Sequence, residues 1–592
     1  LLVATTVDSL CRLGARAFDG ISGERVSAGL ITLSRHHAPD KHTIAGIDAG
    51  TIRPVSAKAE GLRAGAIIAI SQAALRAQPG AAITLDPIDS RRTLARYATC
   101  YQGTSTGDAE RLALGFWELP AALTWAEDDG EWRLFQGPPD RTRPWGGRET
   151  VVRMGFLSRG FASAAIRGRE AWGRSGIAIG QVSALPATLY SGEFFADSTP
   201  VIVPHNDDDL GAIWAFCASP EFNKELRRLN PKLSVNNGYV SKIEFDREKW
   251  RDVFAKDCPH GFPSPTGERD PSQWLFSGQP AHGEHALHIA VARLVGYRWP
   301  RQVGLSFPDC PALDADGLES HADDDGIVCL PSLRGEAAAA ERLRALLADA
   351  FGLQWSAQRL NELLSSEGVE GASIDDWLRG GFFDQHCALF QQRPFVWQIW
   401  DGRKDGFSAL VNYHQLAAPN REGRRILDKL THTYLGDWLD RQRSDQKAGV
   451  EGADGRVAAA EHLKRELEKI LEGEPPYDVF VRWKPLHQQP IGWEPDIDDG
   501  VRVNIRPFMT AKPLNARGKN ACILRVAPKI KWDKDRGKEP TREKADFPWF
   551  WGWDESTQDF AGVKEFDGNR WNDLHYSRAA KLAARERVKG GR

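Results

Sequence analysis

Trp172-Gly-Arg-Ser-Gly-Ile-Ala-Ile-Gly-Gln181, Leu185-Pro-Ala-Thr-Leu-Tyr190 and Thr199-Pro-Val-Ile-Val203 are short apolar runs parted by Gly, Pro and Ser. Such runs, bounded by turn residues, read as strands over 176–180, 188–190 and 199–203. Apolar residues at helical spacing follow over 210–217 and 221–229. This stretch therefore reads as an α+β domain.

N-terminal to it, residues 1–50 read as helix, turn, strand, turn, strand, with strands at 26–33 and 43–47. Residues 51–98 carry Ala-rich helical patterns such as 64–77. Residues 99–150 are loop-rich, with turns marked by Gly137-Pro-Pro-Asp140 and Pro144-Trp-Gly-Gly147. C-terminal to it, Asp257-Cys-Pro-His-Gly-Phe-Pro-Ser-Pro-Thr-Gly267 has the composition of a linker. The acidic stretch 314–325 reads as an exposed loop. Helices are expected at 337–351, 357–365, 374–379, 424–443 and 456–471. Strands are expected within 393–416, around Asp401-Gly-Arg-Lys-Asp-Gly406. From 477 the chain is rich in Trp, Pro and Gly. The fold class is mixed α/β and α+β, multidomain. The divisions are 1–50, a connecting α/β segment 51–150, the α+β domain 151–260, a linker with the acidic loop 261–330, a mostly helical domain 331–475, and a Trp-rich basic region 476–592.

The 592 residues are 41% hydrophobic and 27% charged, a globular composition with room for several domains. Without an apolar run of about 18 residues, no membrane span is expected. Eight cysteines (Cys11, Cys100, Cys217, Cys258, Cys310, Cys329, Cys387, Cys522) form no CxxC pair, which disfavours disulfide scaffolds and zinc ribbons. A reducing cytoplasm fits. The only methionines are Met154 and Met509, which sets the expectation that the chain is part of a longer reading frame. Residues 501–592 carry 21 Lys/Arg against 12 Asp/Glu, so the basic excess sits at the C-terminal end of a chain of net charge −3. That asymmetry suits a polyanion. Lys581, Arg585, Arg587, Lys589 and Arg592 read as a solvated basic tail. Pro528-Lys-Ile-Lys-Trp-Asp-Lys-Asp-Arg-Gly-Lys538 interleaves cations with an aromatic, as phosphate-binding loops do.

Four short motifs invite chemistry. Phe18-Asp-Gly-Ile-Ser-Gly23 superficially matches a Gly-rich cofactor turn, but Arg12, Gly14 and Arg16 stand where a buried strand should precede it. Glu474-Pro-Pro-Tyr477 follows a charged helix and reads as that helix's Pro-stopped end. His282, His285 and His288 could share a helix face as metal ligands, but no carboxylate or Cys lies at ligand spacing. They read as surface or core histidines. Asp496, Asp498 and Asp499 ahead of Arg502 and Arg506 fit a Mg²⁺-dependent nuclease only loosely.

The quoted runs, continued by Ala212-Ile-Trp-Ala-Phe-Cys-Ala-Ser-Pro-Glu-Phe-Asn223 and Asn230-Pro-Lys-Leu-Ser-Val-Asn-Asn237, resemble the target-recognition region of large adenine-N6 DNA methyltransferases of restriction and phage-defence systems. The likeness extends through Phe382-Phe-Asp-Gln-His-Cys387, Pro394-Phe-Val-Trp-Gln-Ile-Trp-Asp-Gly-Arg-Lys-Asp-Gly-Phe407 and Leu410-Val-Asn-Tyr-His414. It continues in Trp493-Glu-Pro-Asp-Ile-Asp-Asp-Gly-Val-Arg-Val-Asn-Ile-Arg-Pro-Phe508, Lys531-Trp-Asp-Lys-Asp-Arg-Gly-Lys538 and Phe566-Asp-Gly-Asn-Arg-Trp-Asn-Asp-Leu-His-Tyr576. The resemblance implies that 1–50 are the last strands of a Rossmann-like methyltransferase sheet. It implies a parent enzyme that moves a methyl group from S-adenosylmethionine to a flipped adenine. The family's cofactor turn and Asn-Pro-Pro-Tyr loop have no acceptable counterpart, so no catalytic, cofactor or metal residues are assigned and S-adenosylmethionine is not expected to bind this chain alone.

Within the family-like region, Arg174, Gln181, Lys232, Asn236, Asn237 and Lys242 are candidates for base-edge contact. Lys529, Lys531, Lys534, Arg536 and Lys538 are candidates for phosphate contact. The expected partner is double-stranded DNA, with other defence-system subunits beside it. Two alternatives stay open: a non-catalytic DNA-binding or assembly subunit, and the nuclease.

Overall fold

Gly-Ile-Ala-Ile forms the strand Gly176–Ile179, buried on both faces, in a computed structural model. The structure describes residues 2–590 except 15–16, 18–27, 51, 53–54, 78–82, 84, 86–91, 122–130, 158–163, 231–233, 480, 519 and 532–576. The chain divides into two units. The first holds Leu1–Ser105, Phe135–Gly147 and Ala165–Pro263; the second holds Thr106–Leu134, Arg148–Ala164 and Ser264–Arg592. The transition at Pro263 falls inside the Pro-rich segment that the sequence marks as a linker.

In the first unit, Gly176–Ile179 lies between Ala187–Tyr190 and Val201–Pro204, and Ala98–Tyr101 pairs on the far side of the latter. All three pairings are antiparallel. Side chains alternate between faces along a strand, so Ile177 and Ile179 join one core while Ala178 joins another. The first core is closed by the helices Leu210–Cys217, Pro220–Leu229 and Arg247–Asp257. The second gathers Tyr190, Phe195, Val201 and Val203.

A second four-stranded sheet precedes it, in the order Ala28–Ser34, Thr6–Gly14, Thr43–Asp48, Ile68–Ser71. The central pair is parallel and the outer pairs are antiparallel. Its first strand corrects the helix expected there. The buried residues Val7, Leu10 and Leu13 stand three apart because register shifts at Val7/Ser9 and Arg12/Gly14 break the period of two. Within 64–77, Ile68–Ser71 is likewise a strand, paired with Thr43–Asp48, between the helices Val55–Ala64 and Gln72–Ala77. The outer strand Ala28–Ser34 leaves Leu30, Ile31 and Leu33 exposed.

The second unit is mainly helical around a three-stranded antiparallel sheet ordered Ile327–Cys329, Ser408–Asn412, Val396–Trp400. The helices Ala339–Phe351, Ala357–Ser366 and Ile374–Gly380 lie within two residues of their sequence-based bounds. Glu422–Asp428 and Leu435–Lys447 are joined by a π-helical turn, and Ala453–Glu472 ends at left-handed Gly473 before the two prolines. Trp397 stacks on Tyr413, and Trp397 and Trp493 both pack on Phe508. Two of these buried indoles keep their N–H satisfied: Trp397 donates to the Pro394 carbonyl and Trp493 to the Leu416 carbonyl, each at 2.9 Å.

Two charged stretches depart from expectation. The acidic stretch 314–325 is paired rather than free. Asp316 takes both terminal nitrogens of Arg293 at 2.7 Å, Asp323 takes Arg342 at 2.9 Å, and Asp325 takes Lys429 and Tyr434. Arg293 is 2% exposed, and a buried guanidinium requires such counter-charge. The C-terminal basic residues are solvated only in part: Arg578–Gly590 is a helix whose Arg587 and Lys589 are exposed, but buried Lys581 donates to the Pro490 carbonyl at 2.8 Å. Arg585 reaches Glu494 at 3.0 Å. Arg592 lies outside the described residues.

Arg482 and Asp108, both 2% exposed at the side chain, form a buried ion pair. Replacing Arg482 with Leu leaves that carboxylate buried and unneutralised, an expected loss of about 3–5 kcal/mol. Chemical denaturation checks it, and Asp108→Asn combined with R482L is expected to recover part of the loss.

Candidate nucleic-acid interface

The strand Gly176–Ile179 is only four residues long, and its two ends carry different candidates. Arg174, at its start, is exposed and donates from Nη2 to the Pro204 carbonyl at 3.1 Å, tying two strand ends together. Gln181 lies past the other end, at the start of a reversal into Ala187–Tyr190 closed by Gly180 N–H on the Pro186 carbonyl at 2.7 Å. Within the reversal Ser183 (φ 58°) and Leu185 (φ 54°) adopt the left-handed conformation. Such backbone costs about 1–3 kcal/mol per non-glycine residue and needs external support. The helix Pro220–Leu229 supplies it: Arg227 Nη2 and Asn223 Nδ2 donate to the Ser183 carbonyl at 2.8 and 3.5 Å.

The Gln181 carbonyl accepts the Val235 N–H at 3.0 Å, which brings the next candidates to the same end. Asn236 begins the helical turn Asn237–Val240 without using its side chain as a cap. Among the described residues the side chains of Gln181, Asn236 and Asn237 make no hydrogen bond, so their amides remain available as donors and acceptors. Lys242 lies over the Tyr239 ring at 5.9 Å. Val182 (50% exposed) and Tyr239 (38% exposed) add apolar surface beside them. The structure thus brings together Gln181, Asn236, Asn237 and Lys242, and sets Arg174 at the opposite end of the strand. Lys232 lies outside the described residues.

In the second unit, Lys529 and Lys531 are exposed. Their backbones are fixed by Lys529 N–H on Gln392 Oε1 at 2.9 Å and by Arg502 Nη2 on the Lys531 carbonyl at 3.2 Å. Lys534, Arg536, Lys538, the turn 18–23 and the segment 566–576 lie outside the described residues.

The carboxylates considered for a nuclease are committed elsewhere. Lys484 Nζ sits 2.7 Å from Asp496 and 2.6 Å from Asp499, the place a divalent cation would have to take. Asp499 also accepts Trp483 Nε1 at 3.0 Å, and Asp498 accepts Trp132 Nε1 at 3.3 Å. Burial pushes the Asp499 carboxyl up to about 6, against the pull of Lys484. Instead of a strand, these residues form the turn Ile497–Asp499 and the helix Gly500–Asn504. Among the described residues no group of His, Cys, Asp and Glu is arranged to hold a metal ion. No helix among them is long and apolar enough to cross a membrane.

His285 and His288 have the carboxylate partner that local spacing did not supply. Glu367, 82 positions after His285, lies 3.2 Å from His285 Nδ1 and 3.6 Å from His288 Nε2. His282 is exposed and apart from this pair. Burial alone would raise the Glu367 carboxyl; hydrogen bonds from both histidines outweigh it and hold it at about 2. The same bond to Glu367 raises His285, partly offset by its own desolvation. The sign follows from linkage. The Glu367 contribution is present above its ordinary value of 4.5 and is lost as pH falls toward about 2. The His285 contribution is present below 6.5 and is lost as pH rises through its raised value. Melting of the wild type and E367Q should therefore differ most between 4.5 and 6.5 and converge on either side. A difference independent of pH would contradict this pairing.

No protein-family model and no curated protein matches the chain. Among solved structures it is similar to the Type IIL restriction-modification enzyme MmeI in complex with DNA. The identity is 10% and the TM-score 0.22, over 61% of this chain and 46% of that one. A TM-score at that level carries no argument about architecture or activity. The chain spans about half the length of that enzyme.

Proposed function

We propose that this chain is the DNA-recognising, C-terminal part of a site-specific adenine-N6 DNA methyltransferase of a bacterial restriction-modification or phage-defence system. The carrying observation is the loop cluster of the first unit. Three amide side chains without hydrogen-bond partners among the described residues, Gln181, Asn236 and Asn237, share one sheet end with Lys242 and Tyr239. Asn and Gln match the donor–acceptor pair of adenine in the major groove, and a lysine matches guanine or phosphate. The long sequence likeness to methyltransferase recognition regions agrees with this reading. The exposed Leu30, Ile31 and Leu33 on an outer strand agree with it too, since such an edge is usually covered by further protein. Lys529 and Lys531 would contribute phosphate contact without sequence preference. In the parent enzyme S-adenosylmethionine would supply the methyl group; this chain alone would not retain it.

Fluorescence anisotropy with duplex pools at several salt concentrations tests the reading. The expected result is duplex binding with a steep salt slope and no retention of radiolabelled S-adenosylmethionine. Gln181→Ala with Asn236→Ala should cost about 1–3 kcal/mol of discrimination per lost base contact. Lys529→Gln with K531Q should instead lower the salt slope by about one per contact and leave preference unchanged. Absence of duplex binding at low salt, or discrimination indifferent to Gln181 and Asn236, would remove the proposal.

A further inference from the structure

In the second unit a cleft of about 330 Å³ opens beside the strand Val396–Trp400. Asp376 and Arg379 of the helix Ile374–Gly380 line it together with Gln398, Trp400, Lys404 and Arg525. Its size lies in the range of small-molecule sites, roughly 300–1,000 Å³.

Arg525 is held there by construction. Its N–H donates to the Gln398 carbonyl at 2.9 Å, and Trp400 N–H donates to the Ile523 carbonyl at 2.9 Å, so this segment runs along the strand. The guanidinium lies 4.4 Å over the Trp400 ring, and Nε donates to the Arg379 carbonyl at 2.6 Å. Its terminal nitrogens have no partner among the described residues, and no carboxylate pairs with it. Lys404, exposed at the rim, also forms no ion pair among them.

The neighbouring acids are occupied. Asp375 pairs with Arg379 at 2.7 Å, and Asp405 pairs with Arg403 at 2.9 Å. Asp376 accepts the N–H and hydroxyl of Ser373. Asp401 accepts the N–H groups of Arg403 and Phe407. At the buried side Gln398 is 0% exposed. Its Nε2 donates to the Leu378 carbonyl at 2.8 Å and to Ser408 Oγ at 3.3 Å, and its Oε1 has no partner. A buried amide oxygen left in this way calls for a donor.

We propose that this cleft binds a small phosphate ester of the size of a nucleoside monophosphate. Its phosphate sits on the free edge of Arg525 and on Lys404, and a hydroxyl or amino group donates to Gln398 Oε1. A guanidinium edge presents two parallel N–H groups to two oxygens of one phosphate, and an ammonium supports it as a point charge. The site is independent of the DNA-recognising loops proposed above.

Isothermal titration calorimetry on the full chain tests it, with AMP, ribose 5-phosphate, inorganic phosphate and adenosine as probes. At least one ester should bind about tenfold or more tightly than both inorganic phosphate and adenosine. Arg525→Gln and Lys404→Gln should each weaken it about tenfold, R525K less, with melting temperature unchanged for K404Q. Duplex-DNA affinity should be unaffected by R525Q and K404Q. The proposal is overturned if neither ester binds the folded chain, if inorganic phosphate binds as tightly as the esters, or if K404Q and R525K both leave ester binding intact. A loss of DNA affinity in these variants without ester binding would instead make the cleft a DNA phosphate contact.

Discussion

The Glu118 carboxylate is the constraint on which the second unit depends. It is 0% exposed, and its two oxygens accept the N–H groups of Gly115 and Val501 at 2.8 Å each. Arg393 lies 3.3 Å from it and 2.9 Å from Glu110. Arg502 lies 3.2 Å from Glu110. One acid therefore joins three segments hundreds of residues apart in sequence. Burial alone would depress the Arg393 guanidinium, but Glu118 and Glu110 together keep it firmly charged. Such a cluster contributes little over an apolar core of equal volume, but removing one member leaves the others buried without counter-charge. Its effect is to fix which segments meet, and hence where the strands 396–400 and 408–412 lie in this unit.

The fold was legible where local pattern and tertiary demand agree. Leu210–Cys217 has the bounds that its apolar spacing predicts, and Gly176–Ile179 is buried on both faces, as a continuous apolar run should be. The two errors near the N-terminus share one cause. A strand with two register shifts buries residues three apart and so imitates a helix, while Ile68–Ser71 is a strand only because Thr43–Asp48 is there to pair with it. Neither fact is local. Charge patterns fail for a related reason. Asp316, Asp323 and Asp325 look solvated until Arg293, Arg342 and Lys429 arrive from elsewhere in the chain.

The candidate interface was legible in residue type and in part in position. Amides and lysines past the ends of short strands are the groups a DNA-reading loop needs. What the sequence hid was which end each occupies. Four residues at about 3.3 Å each set Arg174 and Gln181 at opposite ends of one strand. The association of Gln181 with Val235 and Asn236 is a single backbone hydrogen bond across more than fifty positions. The cleft around Arg525 was not legible at all. Its residues come from one helix, two strands and a distant segment, and no spacing joins them.

The interleaving of the two units bears on how the chain is made and altered. The chain passes from one unit to the other five times, the last at residues 263–264, so neither unit is a contiguous block. During synthesis the first unit cannot close until residue 263 has left the ribosome, and by then the opening segments of the second unit are waiting for partners made much later. A single proteolytic cut cannot separate the two units cleanly, since 106–134 and 148–164 stay joined to the segments of the first. Exchanging the segments 180–186 and 234–242 would leave the sheet and helices around Ile177, Ile179, Phe216 and Trp250 in place, whereas a block cut from 94 to 263 would also carry the second unit's segments 106–134 and 148–164.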